Sequence, residues 1–353
     1  MAEVQTKGEN LVKVILLNHH SIYKALGIVL LLLLLWYASA VFLITFFSIL
    51  FTIAFRTLIN FVAEKCHCSD RISFYIVLPT LIILATFASW WLSSDIIEQI
   101  RELAKRLPEA INSFINWLGK SQFGDEIIDQ AQEWDQVLKE RSASLLSGAR
   151  GILSTAVGFL SAIVVITFMT LFMSFNPDLY IRGIISLSPV KYESRTKEIL
   201  DRLGQGIQWW LLGKLLSMTV IAVLSGIGLT IIGINLALAL AIIAGTFAFI
   251  PYFGPLLSFL PAVLLALAES PTKALYVTAL YAFIQFIEGN LLTPIIEKKT
   301  VHLPPALTLF AQVQFGLLFG FLGVVLASPL ALVLIILVKS IYIEDYLGKI
   351  NHE

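Results

Sequence analysis

The chain is poor in charge. Its 24 Lys/Arg and 24 Asp/Glu cancel to zero net charge and make up only 14% of the 353 residues, against about 25% in an ordinary soluble domain. Charge is also absent from long stretches: residues 25–55 hold none, and residues 209–267 hold one, Lys214. About 20 apolar residues are enough to cross a bilayer as a helix, so these runs argue against a large soluble protein. Zero net charge by itself says nothing about nucleic acid or acidic partners, and no nucleic-acid partner is expected. The alternating ten-residue strands of a membrane barrel are missing as well.

Cysteine is scarce. Cys66 and Cys68 flank His67, but a lone Cys-His-Cys lacks the second ligand pair of a structural zinc site. The thiols therefore read as incidental, and neither a metal nor another cofactor is expected. Enzyme signatures are lacking too. There is no Gly-x-Ser-x-Gly, no His-Glu-x-x-His, no nucleotide-binding loop, and no aspartate pair inside an apolar span. Any pumping has to draw on an ion gradient or an outside partner.

What the chain does have is apolar residues, 58% of the total, with a mean hydropathy of +0.86. The expected fold is an all-α polytopic membrane protein of about eight transmembrane helices. Residues 1–24 carry Lys7, Lys13 and Lys24 and read as a cytoplasmic tail with no cleavable signal peptide. The N-terminal spans occupy 25–92. As one helix the run 25–55 would be about 45 Å long, against about 30 Å of hydrocarbon. It is either one tilted helix or two short ones turning near residues 37–40. Arg56, Lys65 and Arg71 lie in a following stretch that the positive-inside rule makes a cytoplasmic loop, which favours two crossings. A third span ends at the interfacial pair Trp90 and Trp91.

Residues 93–147 hold ten acids against six Lys/Arg, with apolar residues at helical spacing such as Ile96, Ile100, Leu103 and Leu107. Pro108, Gly119 and Gly124 should divide this insert into two or three amphipathic helices. It is expected outside the cytoplasm as a cap on the membrane domain, or alternatively as an entrance gate or a subunit contact. A fourth span covers 148–176, a cytoplasmic segment 177–206, the C-terminal membrane domain 207–340 and a cytoplasmic tail 341–353.

The C-terminal domain carries the candidate site. Residues 283–294 begin as apolar helix, place Glu288 after it, and meet Gly289, Asn290, Thr293 and Pro294. Gly weakens a helix and Pro removes a hydrogen bond from one, so a break is expected here. A carboxylate in lipid costs roughly 2.5–3.5 kcal/mol on insertion scales and calls for a reason to stay. Two further apolar stretches, 235–268 and 306–338, are too long for one span. The first is interrupted by Pro251, Gly254, Pro255 and Pro261, the second by Gly316, Gly320, Gly323 and Pro329. Broken segments in pairs point to an ion or solute site near the membrane midplane. Glu288, Asn290, Gln285 and Thr293 are the candidate ligands, with the breaks at Pro251, Gly254, Pro255 and Pro294 lining a pathway.

Lys214, Gln312 and Gln314 are accessory candidates. Lys214 either snorkels to the cytoplasmic surface, the blander reading, or pairs with a buried carboxylate. The glutamines and Asn290, taken singly, read as interhelical hydrogen-bonding groups. Gly316 and Gly320 form a GxxxG, which together with the insert leads to the expectation of a homo-oligomer.

Several of these residues carry a family resemblance. The run Ile250, Pro251, Tyr252, Phe253, Gly254, Pro255 is one motif. Gln285, Phe286, Ile287, Glu288, Gly289 and Asn290 with Pro294 form a second; Leu303, Pro304, Pro305 and the glycine-rich run to Pro329 complete the set. In order and spacing they resemble the autoinducer-2 exporter family, also called PerM-like permeases. The resemblance implies a bacterial inner-membrane protein with both termini cytoplasmic. Members are described as exporters of the quorum-sensing signal autoinducer-2, others as sodium- or lithium-proton antiporters. Lys214 departs from the neutral polar residue expected at its position.

Three functions follow as expectations. The first is ion-coupled export of a small polar signalling molecule, with the bilayer, that solute and a proton or monovalent cation as partners. The second is sodium(lithium)/proton antiport. The third, of another class, is a membrane scaffold or assembly factor that transports nothing.

Overall fold

The computed structural model describes residues 39–119, 149–297 and 303–349, and every regular element among them is helical. The tail 1–24, the start of the run 25–55, and the second half of the insert with Gly124 lie outside the described residues.

Helix α1 (Ser39–Cys66) contains neither Gly nor Pro and runs unbroken for 28 residues. Arg56 and Lys65 therefore sit on a helix, where a loop was expected. The connection shrinks to three residues turned by His67 at φ 52°, and Arg56 reaches across it to Asp70 at 2.7 Å. Helix α2 (Asp70–Gly119) is 50 residues long and passes through both Pro79 and Pro108. The expected division at Pro108 is not seen: the missing N–H costs one bond, and the helix on either side of it is held by burial of Leu103 and Ala110. The far end of α2 is held to the rest of the protein by burial of Leu103 and Ala110 among Leu229, Leu240, Ala262 and Leu265. Gln99 Oε1 also accepts the Ala239 amide at 3.1 Å.

Helix α3 (Ala149–Phe175) packs Leu171 with Phe55, Ile59 and Phe74, and Phe74 meets Phe175 edge-on at 5.4 Å. After Asn176, Pro177 starts helix α4 (Pro177–Ile185) at 85° to α3. Helix α5 (Glu193–Ile232) joins two segments that were expected to be separate. Its polar beginning and its apolar stretch form one 40-residue helix that continues through Gly204 and Gly206. It stops at Gly233 (φ 79°), where the amides of Gly233 and Ile234 bond Thr230 O and Leu229 O. This is the left-handed C-terminal turn that glycine permits.

Beyond α5 the chain forms two helical hairpins around one bent helix. The first hairpin is α6 (Ala237–Phe247) and α7 (Phe253–Glu269). Pro261, expected as a break, stays inside α7. The bent helix is α8 (Pro271–Ile287), a π turn (Glu288–Leu292) and α9 (Thr293–Glu297). The last helix, α10 (Pro305–Leu337), breaks at Gly320, whose φ 66° and ψ −150° suit only glycine. A Cβ on Gly323 would overlap the Phe315 carbonyl, although eight residues of straight helix span about 12 Å. Residues 305–319 and 321–337 therefore double back on each other. This explains why Ala311 shares a core with Ala327 and Ala331. The Gly316/Gly320 pair, read from sequence as an association motif, instead serves this turn, with Gly316 facing Val324 across it.

Among the described residues, five helical segments are long and apolar enough to cross a bilayer, the doubled-back α10 counted as one of them, and α3 bent with α4 makes a sixth. Helices α6 and α7, shorter and apolar, make up the stretch that is too long for one span. The architecture is that of an all-α polytopic membrane protein.

Candidate functional site

The site lies where α5, the bent helix and the two hairpin turns meet. Helix α8 begins on Ser270, whose hydroxyl accepts the Thr272 amide at 3.2 Å, with Pro271 in the first turn. It then runs to Glu288 without the break that Gly289 and Pro294 implied. Instead the helix widens into a π turn, in which the Thr293 amide bonds Glu288 O five residues back. The Thr293 hydroxyl donates to the same oxygen at 2.9 Å. Pro294 has no N–H to give and its ring crowds the carbonyl four residues before it. The wider turn relieves both problems, so the helix bulges without ending. Such bulges concentrate at functional sites.

Lys214 approaches from α5. One residue earlier, Gly213 packs so closely on Ile296 that a Cβ there would overlap it. This contact brings α5 against α9 and sets Lys214 Nζ 3.9 Å from Glu288 Oε1, both side chains only 12% exposed. Lys214 therefore pairs with a carboxylate inside the protein, and the snorkelling reading is set aside. Gln285 Nε2 donates to the other carboxylate oxygen at 3.4 Å. Both contacts are long for groups of this kind.

The pair faces a cavity of about 330 Å³, which Trp210, Ser217, Pro251, Tyr252, Thr308 and Ser328 also help to line. The Ser328 hydroxyl is buried with no hydrogen-bond partner. A polar group left so in a buried place costs about 1–3 kcal/mol, and a polar ligand in the cavity is a ready partner for it. The first hairpin turn contributes its own strain. Tyr252 has φ 64° and ψ −55°, and the Phe253 amide bonds Pro251 O at 2.7 Å. This is a γ-turn of the rare positive-φ kind, and such backbone strain costs about 1–3 kcal/mol. Pro251 O accepts a second bond, from Gln312 Nε2 at 2.8 Å.

Of the residues expected from sequence, Glu288, Gln285, Thr293, Pro251 and Lys214 surround one cavity. Gln312 stands behind it, holding Pro251. Asn290 is exposed and bonds its own helix at Phe286 O. Pro294 is exposed and absent from the lining, and Gln314 faces outward. Gly254 is buried against Phe247, where a Cβ would overlap the carbonyl, and Pro255 lines a neighbouring cavity. Trp210, which beside Trp209 reads from sequence as an interfacial anchor, is buried and lines the cavity; Ser217, Thr308, Ser328 and Gly213 are not singled out by sequence. Single hydroxyls in apolar helices carry no signal of which way they face. Among the described residues no cluster of three or more His, Cys, Asp or Glu could hold a metal ion.

A sequence model of the AI-2E family of transporters matches residues 26–343. The chain is similar to "Putative transport protein YrrI" of Bacillus subtilis, 31% identical over 189 residues, which cover 54% of this chain and 52% of that protein. It is also similar to "Putative permease PerM" of Escherichia coli, 30% identical over 199 residues, covering 56% and 54%. The chain thus spans about half the length of these two. With "Putative transport protein" of Aquifex aeolicus the similarity is weaker but longer, 24% over 313 residues, covering 84% and 88%.

Proposed function

The chain belongs to the AI-2E transporter family, and on that premise we propose that it is an ion-coupled secondary transporter exporting a small polar signalling molecule by way of the cavity at Glu288. One observation carries this reading: an ion pair, Glu288 with Lys214, facing a polar-lined cavity at the meeting of two doubled-back apolar hairpins. A buried pair of this kind is poor evidence of stability, because removing two charges from water costs about as much as their attraction returns. It is suited to a site that must respond to a proton or an incoming polar group. Broken helices leave backbone groups that an apolar environment cannot satisfy and a polar cargo can.

The same pair favours a second reading, sodium(lithium)/proton antiport. A cation arriving at Glu288 competes with Lys214 for the carboxylate. In either case the chain is a multi-pass bacterial inner-membrane protein, its termini in the cytoplasm and residues 93–147 on the other side. The burial of Leu103 and Ala110 supports the cap role for the first part of that insert.

Flux in proteoliposomes decides among these. Under an imposed pH gradient, uptake of small polyols is expected in the parent and not in Glu288→Gln. Sodium- or lithium-driven proton movement, read with a pH-sensitive dye and lost in Glu288→Gln, would favour antiport instead. No movement of any solute, with Glu288→Gln silent, would sink both.

A further inference from the structure

Glu288 borders two cavities. Besides the polar one shared with Lys214, it lines a second of about 450 Å³ formed with Ile221, Ala248, Ser258, Thr278 and Tyr281 among others. The two linings have three residues in common, Tyr252, Gln285 and Glu288. Gln285 and Glu288 lie on the bent helix and bond one another. Tyr252 comes from the opposite side, at the tip of the first hairpin.

The backbone around Tyr252 is pinned while the residue itself is strained. Pro251 O is held from both sides, by the Phe253 amide at 2.7 Å and by Gln312 Nε2 at 2.8 Å. Two residues on, Gly254 is packed on the Phe247 carbonyl with no room for a side chain. Between these fixed points Tyr252 occupies positive φ, which a tyrosine rarely adopts, and the residue is 47% exposed. Strain of this sort persists where surrounding contacts enforce it, and it collects at clamps and switches. Rotation of residue 252 to ordinary φ would break the γ-turn bond and swing the ring away from the shared wall, while Gln312 still holds the Pro251 carbonyl and Gly254 stays packed on Phe247.

We propose that Tyr252 is the shutter between the two cavities, a positioning residue that controls passage from one to the other past Glu288. The proposal rests on the transport reading for its purpose but is tested without it. In a Cys66→Ser/Cys68→Ser background, Ser217→Cys reports the first cavity and Thr278→Cys the second. A membrane-impermeant cationic thiosulfonate is applied to one face of sealed vesicles. The parent should react readily at one of these cysteines and slowly at the other. Tyr252→Gly, which removes the ring and suits the backbone, should raise the slow rate at least tenfold and leave the melting temperature no lower. Tyr252→Phe should keep the slow rate. Equal rates in the parent, or a slow rate untouched by Tyr252→Gly, would overturn the shutter. If no solute moves yet labelling follows residue 252, the transport reading fails and the shutter stands. If Glu288→Gln abolishes flux while labelling ignores residue 252, the shutter alone falls.

Discussion

Gln312, 1% exposed on the last helix, donates its side-chain amide to the Pro251 carbonyl in the turn of the first hairpin. One hydrogen bond thus ties together the two broken segments that flank Glu288. The oxygen of the same side chain has no partner, so the residue stabilises less than its bond suggests.

Replacing Gln312 by Leu should change stability by less than about 1 kcal/mol. The lost bond is worth about 1 kcal/mol, and removal of the orphaned oxygen offsets it. Flux should fall clearly all the same, because the two hairpins are no longer coupled at the site. Thermal unfolding in detergent beside proteoliposome flux checks this. A large drop in melting temperature would show that the bond matters mainly to the fold.

The hairpin glycines should divide sharply in an alanine scan. Gly254→Ala and Gly323→Ala each push a methyl group into a backbone carbonyl, of Phe247 and Phe315. Overpacking costs about 1–3 kcal/mol, and more where the obstacle is backbone. Gly204→Ala, in open space within α5, should stabilise by up to about 1 kcal/mol. Melting temperatures of the three variants are the measurement, and equal effects would contradict the hairpin geometry.

Lys214 and Glu288 should behave as a coupled pair. Losing one partner of a tight buried pair costs about 3–5 kcal/mol. The 3.9 Å separation here places the expected cost of Lys214→Met or Glu288→Gln nearer 2 kcal/mol. The double variant should regain most of that stability without regaining flux. A double-mutant cycle reads the coupling, and strictly additive losses would mean that the pair does not interact.

A separate ion-pair group should respond to acid and salt. Helix α5 is about 60 Å long, twice the hydrocarbon thickness, so its polar residues 193–206 stand clear of the apolar stretch. There Arg195 bonds Glu344 at 2.7 Å and Glu198 at 2.8 Å, and Arg202 joins both. Hydrogen bonds, first from Arg195 and then from Arg202, hold the Glu344 carboxyl below its usual range, and Arg195 chiefly does the same for Glu198. A depressed carboxyl contributes stability that is fully present above the unfolded-state value and is lost as pH falls through the lower folded value. Melting temperature should therefore decline below about pH 4.5 in the parent and less steeply in Glu344→Gln. High salt should narrow the difference, since the Debye length shrinks to about 3 Å at 1 M.

Much of this was legible in the residues because lipid imposes a simple test. Runs without charge must cross or be buried, and the stretches at 235–268 and 306–338 were visibly too long and too rich in Gly and Pro to be straight helices. Glu288 stood out for the same reason. The errors came where local preference competes with packing. Pro108 and Pro261 suggest breaks yet sit within helices, because one lost hydrogen bond is outweighed by the buried neighbours beside each, Leu103 and Ala110 or Ala262 and Leu265.

The sequence alone determined that the chain is a helical membrane protein, which segments are broken, and that a carboxylate lies between them. Tertiary structure decided how those parts serve one another. It turned the Gly289–Pro294 break into a π bulge, drew Lys214 to Glu288 through the close contact at Gly213, and spent the GxxxG on a turn within one chain. The physical reason is that sequence pattern reports which residues avoid water. The direction a helix takes after a glycine, and the face it offers a neighbour, depend on contacts between residues far apart in the chain.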